Sequence, residues 1–173
     1  ITLGGGCFWC TESVFVNVLG ITDVESGYSN GEVQQPTYEQ VCTGRTGHNE
    51  VVKLEYDPAQ ISLGEILEIF FVIHDPTTPN RQGNDVGTQY RSGIYYETPA
   101  QKQVADKVRA EIAESMSCSR PVVTEVLPRS NYWPAEEYHQ DFFAKNPHQG
   151  YCMAVAAPKV AKFRKTFARL AKP

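Results

Sequence analysis

The amino-acid sequence predicts an α+β fold: a two-layer sandwich built on a split β-α-β (ferredoxin-like) core, with extra helices and a coil-rich C-terminal segment. Three observations lead to this prediction. Four short segments before residue 96 have the apolar pattern of strands, two segments between them have helical periodicity, and their order is β-α-β-β-α-β. The chain has 173 residues and no internal repeat, so we expect one domain, 1–173, with its core over 1–152 and a tail and helix over 153–173.

The first half of the core is a strand, a helix and two further strands. The chain opens with ITLGGG, a strand that runs into glycines, and continues with FWCTESVFVNV, whose apolar residues lie near one helical face. Alternation of apolar and polar residues then predicts strands over ITDVESGYS and EVVKLEYDP. The first of these two strands is expected to end in a turn at Asn30–Gly31.

A helix and a strand complete the core. SLGEILEIFFVIH has apolar residues at helical spacing, and Ser62 and Glu65 are placed as a capping box at its start. SGIYYE predicts the last strand of the core.

The remaining segments predict three helices and one strand. Thr98 and Pro99 are suited to the first positions of a long helix, as N-cap and first helical residue. After that helix come an edge strand, a short helix and an amphipathic C-terminal helix: PVVTEVLP, PAEEYHQDFFAK and APKVAKFRKTFARLAK.

Composition restricts the class of protein. A net charge of −4 argues against a nucleic-acid binder, and no apolar run approaches the roughly 20 residues that span a bilayer. Five cysteines in 173 residues are too few for a disulfide scaffold, so we expect free thiols and a cytoplasmic location. The chain begins at Ile1 and not at Met, so we expect it to be trimmed, or a domain of a larger or exported protein.

The C-x-x-C spacing in GGGCFWCTE allows three interpretations: half of a structural zinc site, a thioredoxin-like dithiol, or a single nucleophilic cysteine at a helix start. A structural zinc site needs a second pair of ligands, and neither a second C-x-x-C nor an H-x3-5-H follows. A thioredoxin-like dithiol of Cys7 and Cys10 has suitable spacing, but the rest of that fold's pattern is missing. In the third reading, glycines place Cys7 at a helix N-terminus, where the helix dipole lowers the pKa of a thiol and makes it a nucleophile.

Phe8 and Trp9 directly follow this nucleophile. They are either core aromatics on the first helical turn or the walls of an apolar pocket. An indole so close to a helix start is hard to bury fully, which favours the pocket.

Seven ordered blocks of the sequence resemble the A-type peptide methionine sulfoxide reductases, over residues 1 to about 152. These blocks are GCFWCTE, GYSNG, PTYEQV, TGHNEVVKLEYDP, GNDVGTQYRSGIYY, AEEYHQDF and NPHQGYC. The resemblance implies a catalytic core that reduces the S-epimer of methionine sulfoxide, free and in proteins, without a metal or an organic cofactor. It also implies a role in repairing oxidative damage.

The resemblance assigns roles to residues of these blocks. Cys7 is expected to attack the sulfoxide sulfur, Phe8 and Trp9 to hold the S-methyl group, and Glu50 to donate a proton. Burial in an apolar site would raise the pKa of Glu50 as that role requires. The remaining pocket residues implied by the family are the hydroxyl donors Tyr38 and Tyr90 and the organising carboxylate Asp85.

Recycling is expected to use further thiols. The resemblance implies that Cys152, on a mobile glycine-hinged segment, resolves the Cys7 sulfenic acid and that thioredoxin reduces the resulting disulfide. Cys10 is expected to be a packed thiol, with a general dithiol oxidoreductase of Cys7 and Cys10 as the alternative function. We further expect a monomer, a buried inert Cys42 and an exposed Cys118 without a role. A non-catalytic binder of oxidised methionine is a further alternative, and the presence of both Cys7 and Glu50 distinguishes the reductase from it, because a binder would need neither.

Overall fold

The computed structural model describes residues 1–116 and 120–173. Cys118 therefore lies outside the described residues. The strands are β1 (Thr2–Gly5), β2 (Ile21–Ser29), β3 (Asn49–Tyr56), β4 (Arg81–Gln82), β5 (Asp85–Val86), β6 (Ser92–Tyr96), β7 (Glu125–Pro128) and β8 (Trp133–Pro134). The α-helices are α1 (Phe8–Phe15), α2 (Tyr38–Cys42), α3 (Leu63–Ile73), α4 (Pro99–Ser115), α5 (Phe142–Lys145) and α6 (Ala157–Thr166).

Six strands form one sheet in the order β7-β6-β1-β3-β2-β8. Its four central strands, β6-β1-β3-β2, pair antiparallel and come from two interleaved units, β1-α1-β2 and β3-α3-β6. This is the split β-α-β arrangement, so the predicted α+β fold class is confirmed. Strand β7 lies parallel to β6 at the edge of the sheet, as PVVTEVLP predicted.

The hydrophobic core lies between the sheet and the helices. Helices α1, α3 and α4 pack on the sheet, and α6 packs across α1 and α3. Phe15, Phe70 and Phe163 place one fully buried ring each on α1, α3 and α6. Burial of a side chain of this size contributes about 1.5–3 kcal/mol to stability. Within the ranges 1–116 and 120–173, no helix is both long enough and apolar enough to cross a membrane.

Helices α3 and α4 both begin at side-chain caps, at the residues that the sequence predicted. The Ser62 hydroxyl accepts the Glu65 backbone N–H at 3.1 Å, and the Glu65 carboxylate accepts the Ser62 N–H at 3.1 Å. At α4 the Thr98 hydroxyl accepts the Gln101 N–H at 3.2 Å, and Pro99 is the first helical residue. These bonds satisfy backbone donors that would otherwise be unpaired at the helix ends.

Two elements near the site were not predicted. Helix α2 begins at a capping box formed by Thr37 and Gln40, a signature that PTYEQ contains but the sequence analysis did not use. Strands β4 and β5 form a tight hairpin, in which Gly83 has φ of 58°.

The segment predicted as one short helix, PAEEYHQDFFAK, is broken in two. Asp141 has φ of 54°, and it separates a 3₁₀ turn at Glu137–His139 from α5. The reason is tertiary: the Gln140 side chain accepts the Ser26 N–H at 2.9 Å and donates to the Ser26 carbonyl at 2.9 Å. This pairing with β2 holds the chain away from a helical path.

The chain after Gly150 is helical, whereas the sequence analysis expected a mobile segment there. Cys152–Ala156 form a π-helix that continues directly into α6. Two anchors explain this order: the Tyr151 hydroxyl donates to Asp85 at 2.5 Å, and Cys152 is buried against α1. The expected boundary at residue 152 therefore falls within a continuous helical stretch.

We expect Ser62→Ala to lower the free energy of unfolding by about 1 kcal/mol, because it leaves the Glu65 backbone N–H in the first turn of α3 without its side-chain acceptor. Ser115→Ala is the matched control, since that exposed hydroxyl only donates back to the Ile112 carbonyl within α4. Urea denaturation of both variants measures the difference. Equal stability of the two variants would contradict the role of the cap.

Candidate active site

Cys7 lies between β1 and α1, at the N-cap position of the helix, and its side chain makes no capping hydrogen bond. Gly6 precedes it with φ of 96°, and a Cβ at Gly6 would lie 2.7 Å from Cγ of Gln82. Both facts require glycine at this position. The Cys7 carbonyl accepts the Cys10 N–H at 3.0 Å, so the thiol lies at the helix start, where the sequence analysis predicted it.

Glu50 lies on β3 with only 1% of its surface exposed. Its Oε1 accepts the Phe8 backbone N–H at 3.1 Å, whereas Oε2 is buried without a hydrogen-bond partner in the described structure. Burial raises the pKa of Glu50 to about 8, although the Phe8 N–H opposes the rise. At neutral pH the carboxyl group is therefore mostly protonated and has one oxygen free to donate.

Tyr38 and Tyr90 belong to two different elements, and the charge of Glu50 acts on both phenols. Tyr38 begins α2, and Tyr90 ends a 3₁₀ turn at Thr88–Tyr90. Burial raises the pKa of both phenols, and the charge of Glu50 raises them further. Both phenols therefore remain protonated at neutral pH and are able to donate a hydrogen bond.

The Phe8 ring belongs to the core and is 1% exposed. Its centroid lies 5.0 Å from His139, 5.7 Å from Tyr28 and 6.5 Å from Tyr38. The burial of Phe8 therefore agrees with the first of the two interpretations, a core aromatic on the first helical turn. Its contact with the S-methyl group stays a prediction.

The Trp9 indole is half-buried and fixed on two sides. It stacks on Phe142 with centroids 3.7 Å apart and an interplanar angle of 4°. Its Nε1 donates to Nδ1 of His139 at 3.0 Å. With Nδ1 as the acceptor, a neutral His139 bears its proton on Nε2, which is buried and unpaired in the described structure.

His139 and Glu136 were not selected by the sequence analysis. Glu136 accepts the Tyr28 hydroxyl at 2.7 Å and the Tyr38 N–H at 2.9 Å, and so holds the start of α2. The His139 ring lies 4.4 Å from the Tyr38 ring. The family block AEEYHQDF contained both residues, so the motif was visible although their contacts were not.

Cys10 lies beside Cys7 in a shared cavity. Its thiol donates to the Tyr151 hydroxyl at 3.6 Å, and that hydroxyl donates to Asp85 at 2.5 Å. The Cys10 thiol is buried, as expected of a packed cysteine, but it lines the same cavity as Cys7. The cavity of about 200 Å³ is lined by Cys7, Cys10, Gln82, Gly83, Asn84, Asp85, Tyr151, Val155 and Lys159.

The two thiols of the motif differ in acidity. Burial raises the pKa of Cys7, and contact with Cys10 and the charge of Glu50 add to the rise. Interaction with Cys7 lowers the pKa of Cys10, and the Lys159 charge and the Tyr151 hydroxyl contribute. The sequence analysis expected the helix dipole to lower the pKa of Cys7, but desolvation and the acidic neighbour outweigh it.

The other described cysteines lie in different surroundings. Cys152 is fully buried, and burial raises its pKa, with a further contribution from Cys10. Cys42 is exposed and not buried, because it ends α2 on the solvent side. Burial raises its pKa even so, and the charge of Glu50 adds to the rise. In the described ranges, no three His, Cys, Asp or Glu side chains come together as a metal site.

The class of protein is an oxidoreductase, and its site has a cysteine thiol at a helix start near a buried carboxyl group whose pKa burial raises to about 8. A family model described as "Peptide methionine sulfoxide reductase" matches residues 1–171. The chain therefore belongs to the peptide methionine sulfoxide reductase family, whose members are oxidoreductases that reduce methionine sulfoxide.

Individual relatives agree with this assignment. The chain is 53% identical over 167 residues to peptide methionine sulfoxide reductase MsrA of Trichodesmium erythraeum, covering 96% of this chain and 94% of that one. Mxr1 of Saccharomyces cerevisiae in reduced form superposes with a TM-score of 0.82 at 40% identity and 87% coverage of each chain. The same yeast protein in complex with Trx2 gives 0.58 at 28% identity, covering 82% of this chain and 81% of that one.

We expect Glu50→Gln to slow methionine formation in a single turnover by about 10²–10⁴-fold, because an amide cannot transfer the proton. In the unsubstituted protein this rate should fall as pH rises through about 8, where Glu50 loses its proton. The variant should lack that fall. Rapid quenching across a pH series measures both effects.

Glu12→Gln is the matched control for Glu50→Gln. Glu12 is also a buried carboxyl group whose pKa burial raises, in this case to about 7, but it lies on α1 and accepts the Ser26 hydroxyl. This control should keep the original rate. An unchanged rate in Glu50→Gln would leave Glu50 with a structural role only.

Proposed function

We propose that the chain reduces the S-epimer of methionine sulfoxide, free and in peptides, through a cysteine sulfenic acid that an intramolecular disulfide and a thioredoxin recycle. One observation supports this most strongly. Oε2 of Glu50 is buried, unpaired in the described structure and protonated at neutral pH, close to the Cys7 helix start. A buried polar atom without a partner is costly, and a sulfoxide oxygen would satisfy it.

The substrate oxygen accepts the Glu50 proton in this scheme, while the Tyr38 and Tyr90 hydroxyls donate to the same oxygen. Hydrogen bonding there makes the sulfur more electrophilic, and the Cys7 sulfur attacks it. The sulfur–oxygen bond of the sulfoxide breaks and the oxygen ends on Cys7. The products are methionine and a Cys7 sulfenic acid.

Protons balance in this step. Glu50 gives one proton to the oxygen and regains one from the Cys7 thiol, so no net proton is consumed. A Cys7 whose pKa burial raises is compatible with the scheme, because the thiol can lose its proton as it attacks.

The S-methyl group is proposed to contact the aromatic cluster beside Cys7. The Trp9 ring is held by Phe142 and His139 and therefore presents a fixed wall. The site is chiral because the Trp9 wall lies on one side and the hydroxyl donors on another. A chiral site would bind the two sulfoxide epimers differently. The S preference itself rests on the resemblance to the A-type reductases.

Recycling is proposed to begin when a second thiol condenses with the sulfenic acid to give a disulfide and water. Thiols of Cys10 and Cys152 are both candidates, and Cys152 would require the helical segment around it to open. The complex of the similar yeast Mxr1 with Trx2 supports a thioredoxin as the final reductant. Such a cycle operates where thiols are kept reduced, as in the cytoplasm.

A general dithiol oxidoreductase remains a second candidate function. It is favoured by the contact between Cys7 and Cys10 and the lowered pKa of Cys10. Reduction of insulin disulfides in the absence of sulfoxide would distinguish this activity from sulfoxide reduction.

We expect Cys7→Ser to abolish methionine formation, because the alcohol is a far weaker nucleophile than the thiol and cannot form a sulfenic acid. Separate epimers of a sulfoxide peptide, incubated with dithiothreitol and analysed by chromatography, give the measurement. Cys42→Ser is the matched control and should reduce only the S-epimer at the original rate. Appreciable turnover by Cys7→Ser, or equal use of both epimers by the control, would contradict the proposed function.

A further inference from the structure

Lys159 lines the cavity that contains Cys7, although it belongs to α6, a helix to which the sequence analysis gave no function. The side chain is half-buried, and burial lowers the pKa of its ammonium group. Within residues 1–116 and 120–173, no ion pair includes Lys159. A cation that is partly removed from water without an opposite charge in contact is costly, so an anionic ligand would stabilise it.

Asp85 lines the same cavity and has the opposite charge. Its charge acts on Lys159, but none of the ion pairs in the described part of the chain joins the two side chains. The Asp85 carboxylate accepts the Tyr151 hydroxyl at 2.5 Å instead. The cavity of about 200 Å³ thus has an acidic and a basic wall that are not in contact with each other. Such a pair of charges matches the ammonium and the carboxylate of a free α-amino acid.

The position of Cys7 determines which part of a substrate enters this cavity. In the proposed function the Cys7 sulfur attacks the sulfoxide sulfur, so these two atoms are adjacent. Two methylene groups separate the sulfoxide sulfur from the α-carbon, so the α-carboxylate lies within about 6 Å of that sulfur. Cys7 and Lys159 line one cavity, and the charge of Cys7 acts on Lys159. The α-carboxylate of a bound substrate is therefore within reach of Lys159.

We propose that Lys159 is a specificity-determining residue that binds a free α-carboxylate, and so contributes affinity for free methionine sulfoxide that an internal residue of a peptide does not receive. This inference rests on the proposed function, because the sulfoxide at Cys7 defines where the carboxylate lies. The contact is a charge-assisted hydrogen bond and adds no covalent step. In a peptide an amide replaces the carboxylate, and the Lys159 charge stays unpaired.

Four small sulfoxides of the S configuration test this contact. Free methionine sulfoxide has both charges, its N-acetyl derivative has the carboxylate only, its amide has the ammonium only, and the N-acetyl N-methylamide has neither. Lys159→Met should raise KM for the two carboxylates by about 10–100-fold, the range expected for one lost hydrogen bond between charged groups. KM for the two amides should not change. Lys159→Arg should restore most of the lost affinity, because it keeps the charge.

Lys162→Met is the matched control. Lys162 lies on the exposed surface of the same helix, and its charge acts on Lys159, but it lines a neighbouring groove and not the cavity of Cys7. This variant loses the same net charge, so it separates a direct contact from a general positive field. We expect it to leave KM for all four sulfoxides unchanged.

Two further measurements do not depend on turnover of the Lys159 variants. In a Cys7→Ser background, calorimetric titration with free methionine sulfoxide should show the dissociation constant rising in Lys159→Met by the factor seen in KM. In the unsubstituted protein, free methionine should inhibit reduction of a sulfoxide peptide more strongly than methionine amide does. Equal inhibition by the two would contradict the carboxylate contact.

The remaining outcomes are distinguishable. An equal rise in KM for all four sulfoxides in Lys159→Met would show a structural role and overturn the inference. So would unchanged KM for the two carboxylates, or a rise of the same size in Lys162→Met, which would place the carboxylate in the neighbouring groove. Each of these results leaves the proposed function intact. Failure of the unsubstituted protein to reduce any of the four sulfoxides, or a sulfoxide peptide, would overturn the proposed function itself.

Discussion

The hydrogen bond from the Phe8 N–H to Oε1 of Glu50, 3.1 Å long, ties the start of α1 to β3. The bond pairs one of the backbone N–H groups that have no acceptor within the helix. It also holds a carboxyl group in the core, near Cys7, where only one of its two oxygens has a hydrogen-bond partner in the described structure. Because the group is buried, ionisation is unfavourable, so the position that fixes the nucleophile also keeps the acid protonated. The tyrosines on α2 and in the Thr88–Tyr90 turn are arranged around this pair.

Local signals predicted the elements whose structure depends on local interactions. The capping box at Ser62 and the Thr98–Pro99 start fixed the beginnings of α3 and α4, and alternation fixed β2 and β3. The failures have tertiary causes. Pairing of the Gln140 side chain with β2 breaks a helix that periodicity favoured, and no window of nearby residues contains that information.

The residues of the candidate site also divide into those that the sequence predicted and those whose place depends on tertiary contacts. Cys7 followed from the motif at the start of α1, whereas Glu50 was selected only through the family resemblance. Tyr151 was missed because its hydrogen bond with Cys10 joins residues 141 positions apart. Lys159 was missed because its place in the same cavity depends on how α6 packs on α1. The acidity of the two thiols was not predictable either, since it depends on burial and on charges from several distant segments.

The π-helix at Cys152–Ala156 has one residue more in its turn than an α-helix would have. If this turn tightens to α-helical spacing while α6 stays in place, the residues before it rotate by about 100°, the angle between neighbours on an α-helix. Cys152 would then point in the direction that Tyr151 now takes, toward Cys10. The present register places the Tyr151 hydroxyl in the cavity, and the tightened register would place the Cys152 thiol there instead.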